Sequence, residues 1–244
     1  MTGSAPALVP AGGAAGGLPP SVLDDILEWD VASWSRALRF WERRTGDLAG
    51  QRVLELGARR GGLSLYFALR GAEVICSDLD GPAPEARALH ERHRVAERVR
   101  YEALDATAIA LPPAGVDVVA FKSVLGGVGS HDAFDRQRRA VSEIHRVLKP
   151  VGVLLFAENL RATRLHGWLR RRFTDWGERW RYPTLDEMDR LLAPFARVER
   201  ETFGFCATLG RSEGQRRALH AVDRLVDPCL GSRHKTIVYG CAWK

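Results

Sequence analysis

A short glycine-bearing loop that begins at residue 57 has the residue types and the position that suit the binding of a nucleoside. The apolar run 53–56 leads into residues 57–62, which read Gly-Ala-Arg-Arg-Gly-Gly and open a helical segment. Glycines at such a turn let a ligand approach backbone N–H groups closely. A second apolar run ends in Asp78, whose carboxylate can accept hydrogen bonds from both hydroxyls of a ribose. Strand, glycine loop, helix, strand and acid together make a nucleoside-binding pattern.

Short apolar runs alternate with amphipathic segments from residue 52 to residue 156, as a sheet built from βαβ units requires. Strands are predicted at 53–56, 73–77, 99–104, 116–121 and 151–157, with two more at 198–207 and 236–243. A helix is predicted at 134–148, where Lys149-Pro150 ends it. Because the strands are almost continuously apolar, we expect helices on both faces of a seven-stranded, mostly parallel sheet with an antiparallel last strand.

Two positions late in the chain carry the signal of a helix start. Thr184 is followed three residues later by Glu187, which fits a capping box. Ser212 and Gln215 fit the same motif. A helix should therefore begin at each of these points.

The chain is predicted to divide into a tail, a helical cap and one further domain. Residues 1–20 are mostly Ala, Gly and Pro with almost no charge, so we expect a disordered tail. Within 21–48, apolar residues recur at helical spacing, with Trp34 and Trp41 on one face, which predicts an N-terminal helical cap. The remaining domain is expected at 49–244, with a basic and aromatic insert at 160–182.

The composition excludes several classes of protein. The 244 residues, 45% of them hydrophobic and 27% charged, suit one core. No apolar run reaches the roughly 18 residues needed to cross a bilayer, and no export signal is evident. The four cysteines are scattered without the spacing of a zinc or redox site. We expect a cytoplasmic protein with reduced thiols and no metal.

Five motifs follow one another with the order and spacing of one enzyme family. They are Glu55-Leu56-Gly57, Asp78-Leu79-Asp80, Leu104-Asp105-Ala106, Val116-Asp117-Val118-Val119, and His145-Arg146-Val147-Leu148-Lys149-Pro150-Val151-Gly152. Across roughly residues 50 to 160 the sequence resembles the class I S-adenosylmethionine (SAM)-dependent methyltransferases. The resemblance implies an α/β, Rossmann-like fold and S-adenosyl-L-methionine as the cofactor.

The resemblance also implies which positions contact the cofactor. The loop at Gly57 and Gly61 would flank the methionine part, Asp78 would bind the ribose, and Asp105 would face the adenine amino group. Lys122 and Ser123 follow the fourth strand and would lie beside the sulfonium. The full set of implied cofactor contacts is Glu55, Gly57, Ala58, Arg59, Gly61, Asp78, Leu79, Asp105, Ala106, Lys122 and Ser123.

Three of these positions have alternative interpretations. Glu55 could instead cap a helix N-terminus or pair with a nearby arginine. Asp105 could be a turn residue that accepts a local backbone hydrogen bond. Arg59 stands where the family usually has another glycine, and it could pair with the cofactor carboxylate, point to solvent or mark a weakened site.

Methyl transfer from a sulfonium is an in-line displacement, so positioning can supply most of the catalysis and a base is optional. The candidate bases are His131, Glu158 and His166. Each has a structural alternative: a helix N-terminal residue for His131, an ion pair with Arg161 for Glu158, and a surface histidine for His166. His145 lies within the predicted helix 134–148, and we interpret it as structural.

The insert 160–182 is long for a plain connection and combines seven arginines with five aromatic residues. Together with the N-terminal cap it could line a pocket with aromatic walls and a cationic rim, for an acceptor with an anionic group or an electron-rich ring. The alternative is an amphipathic helix whose arginines are solvated. The candidate acceptor-binding residues are Trp34, Trp41, Arg170, Trp176, Trp180 and Tyr182.

We therefore expect transfer of a methyl group to an O, N or activated C atom of a small molecule, in natural product biosynthesis. One alternative is an RNA-modifying methyltransferase, because basic and aromatic residues alternate in the insert. Against it, residues 121–124 lack the Asn/Asp-Pro-Pro-aromatic motif typical of base N-methylation. A non-catalytic SAM-fold binding protein is the other alternative. We expect a monomer or homodimer with no membrane or nucleic-acid partner.

Overall fold

A single sheet organises residues 17–173 and 179–244, which are the residues that the computed structural model describes. Within them, seven strands are ordered β3-β2-β1-β4-β5-β7-β6. Their bounds are Arg52–Leu56 (β1), Glu73–Asp78 (β2), Val99–Ala103 (β3), Val116–Lys122 (β4), Leu148–Asn159 (β5), Arg197–Phe203 (β6) and Ile237–Trp243 (β7). Strands β1 to β5 pair in parallel, and β7 is antiparallel to both β5 and β6. The predicted seven-stranded, mostly parallel sheet is confirmed.

Helices cover both faces of this sheet, as the apolar strands predict. They are Pro20–Leu27 (α1), Val31–Glu42 (α2), Gly62–Ala68 (α3), Pro84–Arg92 (α4), Leu125–Val128 (α5), Phe134–Val147 (α6), Arg164–Phe173 (α7), Leu185–Leu192 (α8) and Glu213–Val226 (α9). Strand β4 shows why both faces must be covered, because Val118 and Ala120 enter one core while Val119 and Phe121 enter the other. Among the described helices, none has the length and apolar character to span a bilayer.

The predicted helix starts hold, with one difference in detail. Thr184 and Glu187 form a complete capping box at the start of α8. Ser212 accepts a hydrogen bond from the N–H of Gln215 and so begins α9. The Gln215 side chain instead accepts from the N–H of Arg211, so only half of the second box is present.

Two strand boundaries differ from the prediction by three residues or more. Strand β5 begins at Leu148 rather than at residue 151, because the chain becomes extended directly after α6 and pairs with Val116. Pro150 therefore lies inside a strand and does not itself end the helix. Strand β6 ends at Phe203 rather than at residue 207, where the chain turns at Gly204.

The N-terminal cap consists of α1 and α2, which pack on the face that carries α3. The predicted tail is 1–20; residues 1–16 lie outside the described residues, Leu18 is buried and α1 begins at Pro20. The carbonyl of Ile26 lies so close to Gly62 that a Cβ at Gly62 would overlap it. The cap thus contacts the first residue of α3 directly.

The cap is also held by α9, which lies much later in the sequence. The Glu213 carboxylate, at the start of α9, accepts from the N–H groups of Asp30 at 2.9 Å and Val31 at 3.0 Å. These N–H groups belong to the first turn of α2, where a helix has no partners of its own for them. Glu213 therefore completes the N-terminus of α2.

Gly62→Ala is expected to lower the free energy of unfolding by about 1–3 kcal/mol, the usual cost of overpacking, because the new methyl group meets the Ile26 carbonyl. The matched control is Gly214→Ala in α9, where a Cβ meets nothing within 4 Å. That control should gain about 0.5–1 kcal/mol from the better helix propensity of alanine. Urea denaturation measures both, and a Gly62→Ala protein as stable as the control would contradict the contact.

Candidate active site at the carboxyl edge of the sheet

The carboxyl ends of β1, β2, β4 and β5 lie side by side at one edge of the sheet. This pairing brings Gly57, Asp78, Lys122 and Glu158 to that edge. Parallel α/β sheets bind ligands at this edge, where the chain turns from strand to helix. The site predicted from the sequence is therefore assembled by strand order.

The loop 57–62 bends through three left-handed residues, Gly57, Arg59 and Gly61, with φ of 67°, 47° and 78°. At Gly57 a Cβ would come within 2.5 Å of the Val124 side chain, so only glycine fits between the two loops. The buried His90 ring supports the loop, with Nε2 2.8 Å from the Gly61 carbonyl. The loop is thus fixed on both sides.

Glu55, at the end of β1, is buried and faces the start of α3. Its carboxylate accepts from the Ser64 N–H at 2.7 Å and also from the Ser64 hydroxyl. Burial raises the pKa of Glu55 to about 8. These contacts are those of the capping alternative, so the acid orders the helix that follows the loop.

Asp78, at the end of β2, is fixed by two backbone donors. Its Oδ2 accepts from the Arg59 N–H and its Oδ1 from the Leu79 N–H, each at 2.8 Å. Each carboxylate oxygen keeps a further lone pair, so the group can still accept from ribose hydroxyls. Leu79 is 59% exposed and gives an apolar surface beside the acid. Both features fit the nucleoside half of the implied cofactor.

Asp105 makes the local turn that was its alternative interpretation. Its Oδ1 accepts from the N–H and the hydroxyl of Thr107, both at 2.8 Å. The Thr107 N–H lowers the pKa of Asp105 below its usual range. The half-buried Ala106 follows it. The turn holds the carboxylate ionised at the end of β3.

Arg59 extends toward the N-terminal cap, where its Nη1 lies 3.7 Å from the Glu28 carboxylate. The side chain is 65% exposed, so this pair is weak. Its φ of 47° is a conformation that suits glycine far better than arginine. The departure from the family pattern therefore has a backbone cost in addition to its bulk.

Lys122, at the end of β4, points into the cap. Its Nζ donates to the Leu27 carbonyl at 2.6 Å and lies 4.7 Å from the ring centroid of Trp29 and 5.8 Å from that of Trp34. Burial lowers the pKa of Lys122 to about 8. The next residue, Ser123, has a φ of 58° and accepts from the Asn159 amide. Lys122 is thus a desolvated ammonium beside two indole rings.

Glu158, a candidate base, is fully buried and bound to the backbone. Its Oε2 accepts from the N–H groups of Val124 and Leu125, at 2.8 and 2.7 Å, and its Oε1 from that of Asn159. Three backbone N–H donors thus occupy the two carboxylate oxygens. The contacts place Glu158 at the start of α5 as a positioning residue.

His166, the second candidate base, is buried rather than on the surface. Its Nε2 lies 2.9 Å from the Phe205 carbonyl, which can only accept, so this nitrogen carries the proton. Its Nδ1 lies 2.7 Å from the Thr163 hydroxyl. With both ring nitrogens engaged, His166 orders the start of α7. His131, the third candidate, is exposed, with a φ of 62°.

The structure separates the candidate acceptor-binding residues. Trp34 lies beside Lys122, whereas the Trp41 indole donates to the Gly240 carbonyl in the middle of β7 and belongs to the core. The Trp180 ring lies against Gly126 and Gly127 of α5. The Tyr182 ring follows at 6.3 Å from that of Trp180. Trp176 and the side chain of Arg170 lie outside the described residues.

Sequence reasoning missed Trp29 and Asp30, which join α1 to α2. Asp30 is buried with a φ of 48°, and the preceding Glu28 has a φ of 63°. Two strained residues in one turn are typical of a functional site. The available signal was Asp30 itself, an acid directly before a predicted helix.

A cavity of about 540 Å³ lies away from this edge, along the edge strand β6. Its lining is mostly charged and includes Arg44, Asp189, Glu199, Arg200 and Glu201. It contains none of the predicted site residues. Among the described residues, no group of three or more His, Cys, Asp or Glu side chains is placed to hold a metal ion.

Comparisons with known proteins bear on the fold that carries this edge. Residues 54–156 match the family model described as a methyltransferase domain. Among curated proteins, none has a sequence that matches this chain.

Solved structures have a similar fold at low sequence identity. Phosphoethanolamine N-methyltransferase 2 of Haemonchus contortus, bound to phosphomonomethylethanolamine and S-adenosylhomocysteine, gives a TM-score of 0.60 at 18% identity over 86% of this chain. This chain spans about half of that protein, 52% of its length. A SAM-dependent methyltransferase from Mesorhizobium loti gives 0.56 at 18% identity, over 87% of this chain and 98% of that one. The 4+2 cyclase SpnF gives 0.54 at 17% identity, over 83% and 77%.

Glu55→Gln is expected to remove a decline in stability between about pH 5 and pH 8. Folded Glu55 holds its proton up to about pH 8, whereas the unfolded side chain loses it near the ordinary glutamate pKa of 4.5. The folded state therefore binds more protons in this window, and the free energy of unfolding falls as the pH rises. Denaturation at several pH values measures the slope. The exposed Glu73→Gln is the control, and equal slopes in both variants would contradict the burial effect.

Arg59→Gly is expected to raise the free energy of unfolding by up to about 1 kcal/mol, because relief of the left-handed strain exceeds the entropy cost of glycine. Arg60→Gly is the matched control, since Arg60 is exposed in the same loop and does not have a positive φ. The control should lose about 0.5–1 kcal/mol. Equal losses in both variants would show that residue 59 carries no strain.

Proposed function

From the match of residues 54–156 to a methyltransferase-domain model, we propose that this chain transfers a methyl group from SAM to a small-molecule acceptor. The observation that carries the proposal is Asp78, held by the Arg59 and Leu79 N–H groups at the end of β2 beside the glycine loop. A fixed carboxylate next to a backbone loop suits a ribose. We further propose that the acceptor is a metabolite and that the protein acts in the cytoplasm.

SAM supplies an electrophilic methyl group on a sulfonium. The chain's own contribution would be to hold the nucleoside with Asp78 and the loop 57–62, beside the end of β4. Trp29 and Trp34 exclude water from this edge, because both rings pack beside Lys122. In a water-poor site, alignment of the acceptor atom with the methyl group supplies most of the rate.

The three candidate bases differ in their ability to remove a proton from the acceptor. Glu158 and His166 are held in backbone and side-chain hydrogen bonds, so we propose that neither acts as the base. His131 is the candidate that keeps an exposed imidazole. Acceptors that need no strong base, such as a neutral amine or a carboxylate, suit this arrangement best.

An acceptor with an anionic group has independent support. The similar fold from Haemonchus contortus was solved with phosphomonomethylethanolamine, a small amine that carries a phosphate. In this chain the segment around Trp180 and Tyr182 lies over α5, next to the strand that ends in Lys122. We propose that this segment contacts the acceptor.

A second candidate is a protein that binds SAM without transferring its methyl group. The specific observation is the fold similarity to SpnF, which is described as a 4+2 cyclase. Arg59 in place of the family's glycine favours the same reading. Incubation with SAM and a panel of phosphate- or carboxylate-bearing amines and phenols separates the two candidates. S-adenosylhomocysteine formation supports the transferase, whereas binding without turnover across the panel supports the second candidate.

Asp78→Ala is expected to weaken S-adenosylhomocysteine binding about tenfold to a hundredfold, since two hydrogen bonds from ribose hydroxyls to a charged group are lost. Isothermal titration calorimetry measures the dissociation constant. Asp80→Ala is the control, because Asp80 is an exposed acid two residues further along the same turn. Unchanged affinity in Asp78→Ala would reject the assigned ribose contact.

A further inference from the structure

Two buried polar atoms of the N-terminal cap lack a hydrogen-bond partner among the described residues. They are Oδ1 of Asp30 and Nε1 of Trp34. The two residues are only 2% and 0% exposed, so bulk water does not supply the missing hydrogen bonds. Native proteins leave few buried polar atoms unpaired, and those that remain require an explanation. An acceptor and a donor left open together indicate a ligand that offers both.

Asp30 and Trp34 are one helical turn apart at the start of α2. The Asp30 carbonyl accepts from the Trp34 N–H at 3.0 Å, so Asp30 is the N-cap of α2 and Trp34 closes the first turn after it. The Trp34 ring also faces Lys122, with 5.8 Å between the Lys122 Nζ and the ring centroid.

The three side chains form a complementary set of charges. Lys122 is a cation with three N–H donors, one of which donates to the Leu27 carbonyl. Trp34 has a neutral N–H donor, and Asp30 has a carboxylate oxygen that can accept. A ligand carboxylate can accept hydrogen bonds from the Lys122 ammonium and the Trp34 N–H. A ligand ammonium can donate to the Asp30 carboxylate. The set therefore matches the zwitterion of an α-amino acid.

The position of Asp30, Trp34 and Lys122 indicates which molecule would carry the zwitterion. The helix α1 ends with the Ile26 carbonyl against Gly62 and the Leu27 carbonyl against Lys122. The set is therefore next to the loop 57–62 and not at the far end of the insert. We propose that Asp30 and Trp34 bind the amino-acid end of SAM, with Trp34 on its carboxylate and Asp30 on its ammonium. This inference rests on the proposed function.

Calorimetry with two ligands tests the inference. S-adenosylhomocysteine carries the amino-acid end, whereas 5′-methylthioadenosine has the same nucleoside and lacks it. Trp34→Phe keeps the aromatic packing and removes the N–H, and Asp30→Asn removes the charge in a residue type that tolerates a positive φ. Each variant is expected to weaken S-adenosylhomocysteine about tenfold or more and to leave methylthioadenosine unchanged.

Matched controls exist for both changes. Trp41→Phe makes the same substitution in the same helix, where the indole is bound to Gly240, and Asp24→Asn removes an exposed acid of α1. Neither control should alter the affinity for S-adenosylhomocysteine.

Two results would overturn the inference. One is unchanged S-adenosylhomocysteine affinity in both variants, and the other is an equal loss for both ligands, which would place the effect in the folding of the cap. If the wild-type chain binds neither ligand, the proposed function fails first, and that outcome is distinct from wild-type binding that the variants do not disturb.

Discussion

Carboxylates at strand ends that accept hydrogen bonds from the N–H groups of neighbouring loops hold the carboxyl edge of this sheet together. Glu55 does this for α3, Asp78 for the loop after β1, and Glu158 for α5. Away from β1 to β5, Asp223 holds the chain after β6 in the same way, through the N–H groups of Cys206 and Ala207. Buried acids and unsatisfied N–H groups are each costly alone, and their pairing reduces both costs. The strand order decides which acid meets which loop.

This constraint divides the polar groups of the site into two kinds. Groups that the fold already satisfies, such as Glu158 and His166, have little capacity left for a substrate. Two buried atoms that have no hydrogen-bond partner in the described part of the chain, Oδ1 of Asp30 and Nε1 of Trp34, keep that capacity. Chemical type alone does not separate the two kinds, because an acid that titrates in one setting is a fixed acceptor in another.

The sequence predicted the sheet well because alternation along strands and the spacing of βαβ units are local properties. It predicted the positions of Gly57 and Asp78 for the same reason, since each directly follows a strand. It could not assign Glu158, whose donors at Val124 and Leu125 are more than thirty residues earlier in the chain. It could not separate Trp34 from Trp41 either, because they share one helical face and differ only in what packs against them. The sequence showed Arg59 as a departure from the usual glycine, but only the structure showed that its φ is left-handed.

The bond from Glu213 to the start of α2 joins residues 183 positions apart. During synthesis α1 and α2 leave the ribosome before α9, so the cap lacks this anchor until α9 has emerged as well. Because the α1–α2 turn carries Asp30, the anchor of the proposed site is made only after strands β1 to β6. A nascent or truncated chain that stops after β5 would therefore contain the loop 57–62 and a cap without its anchor.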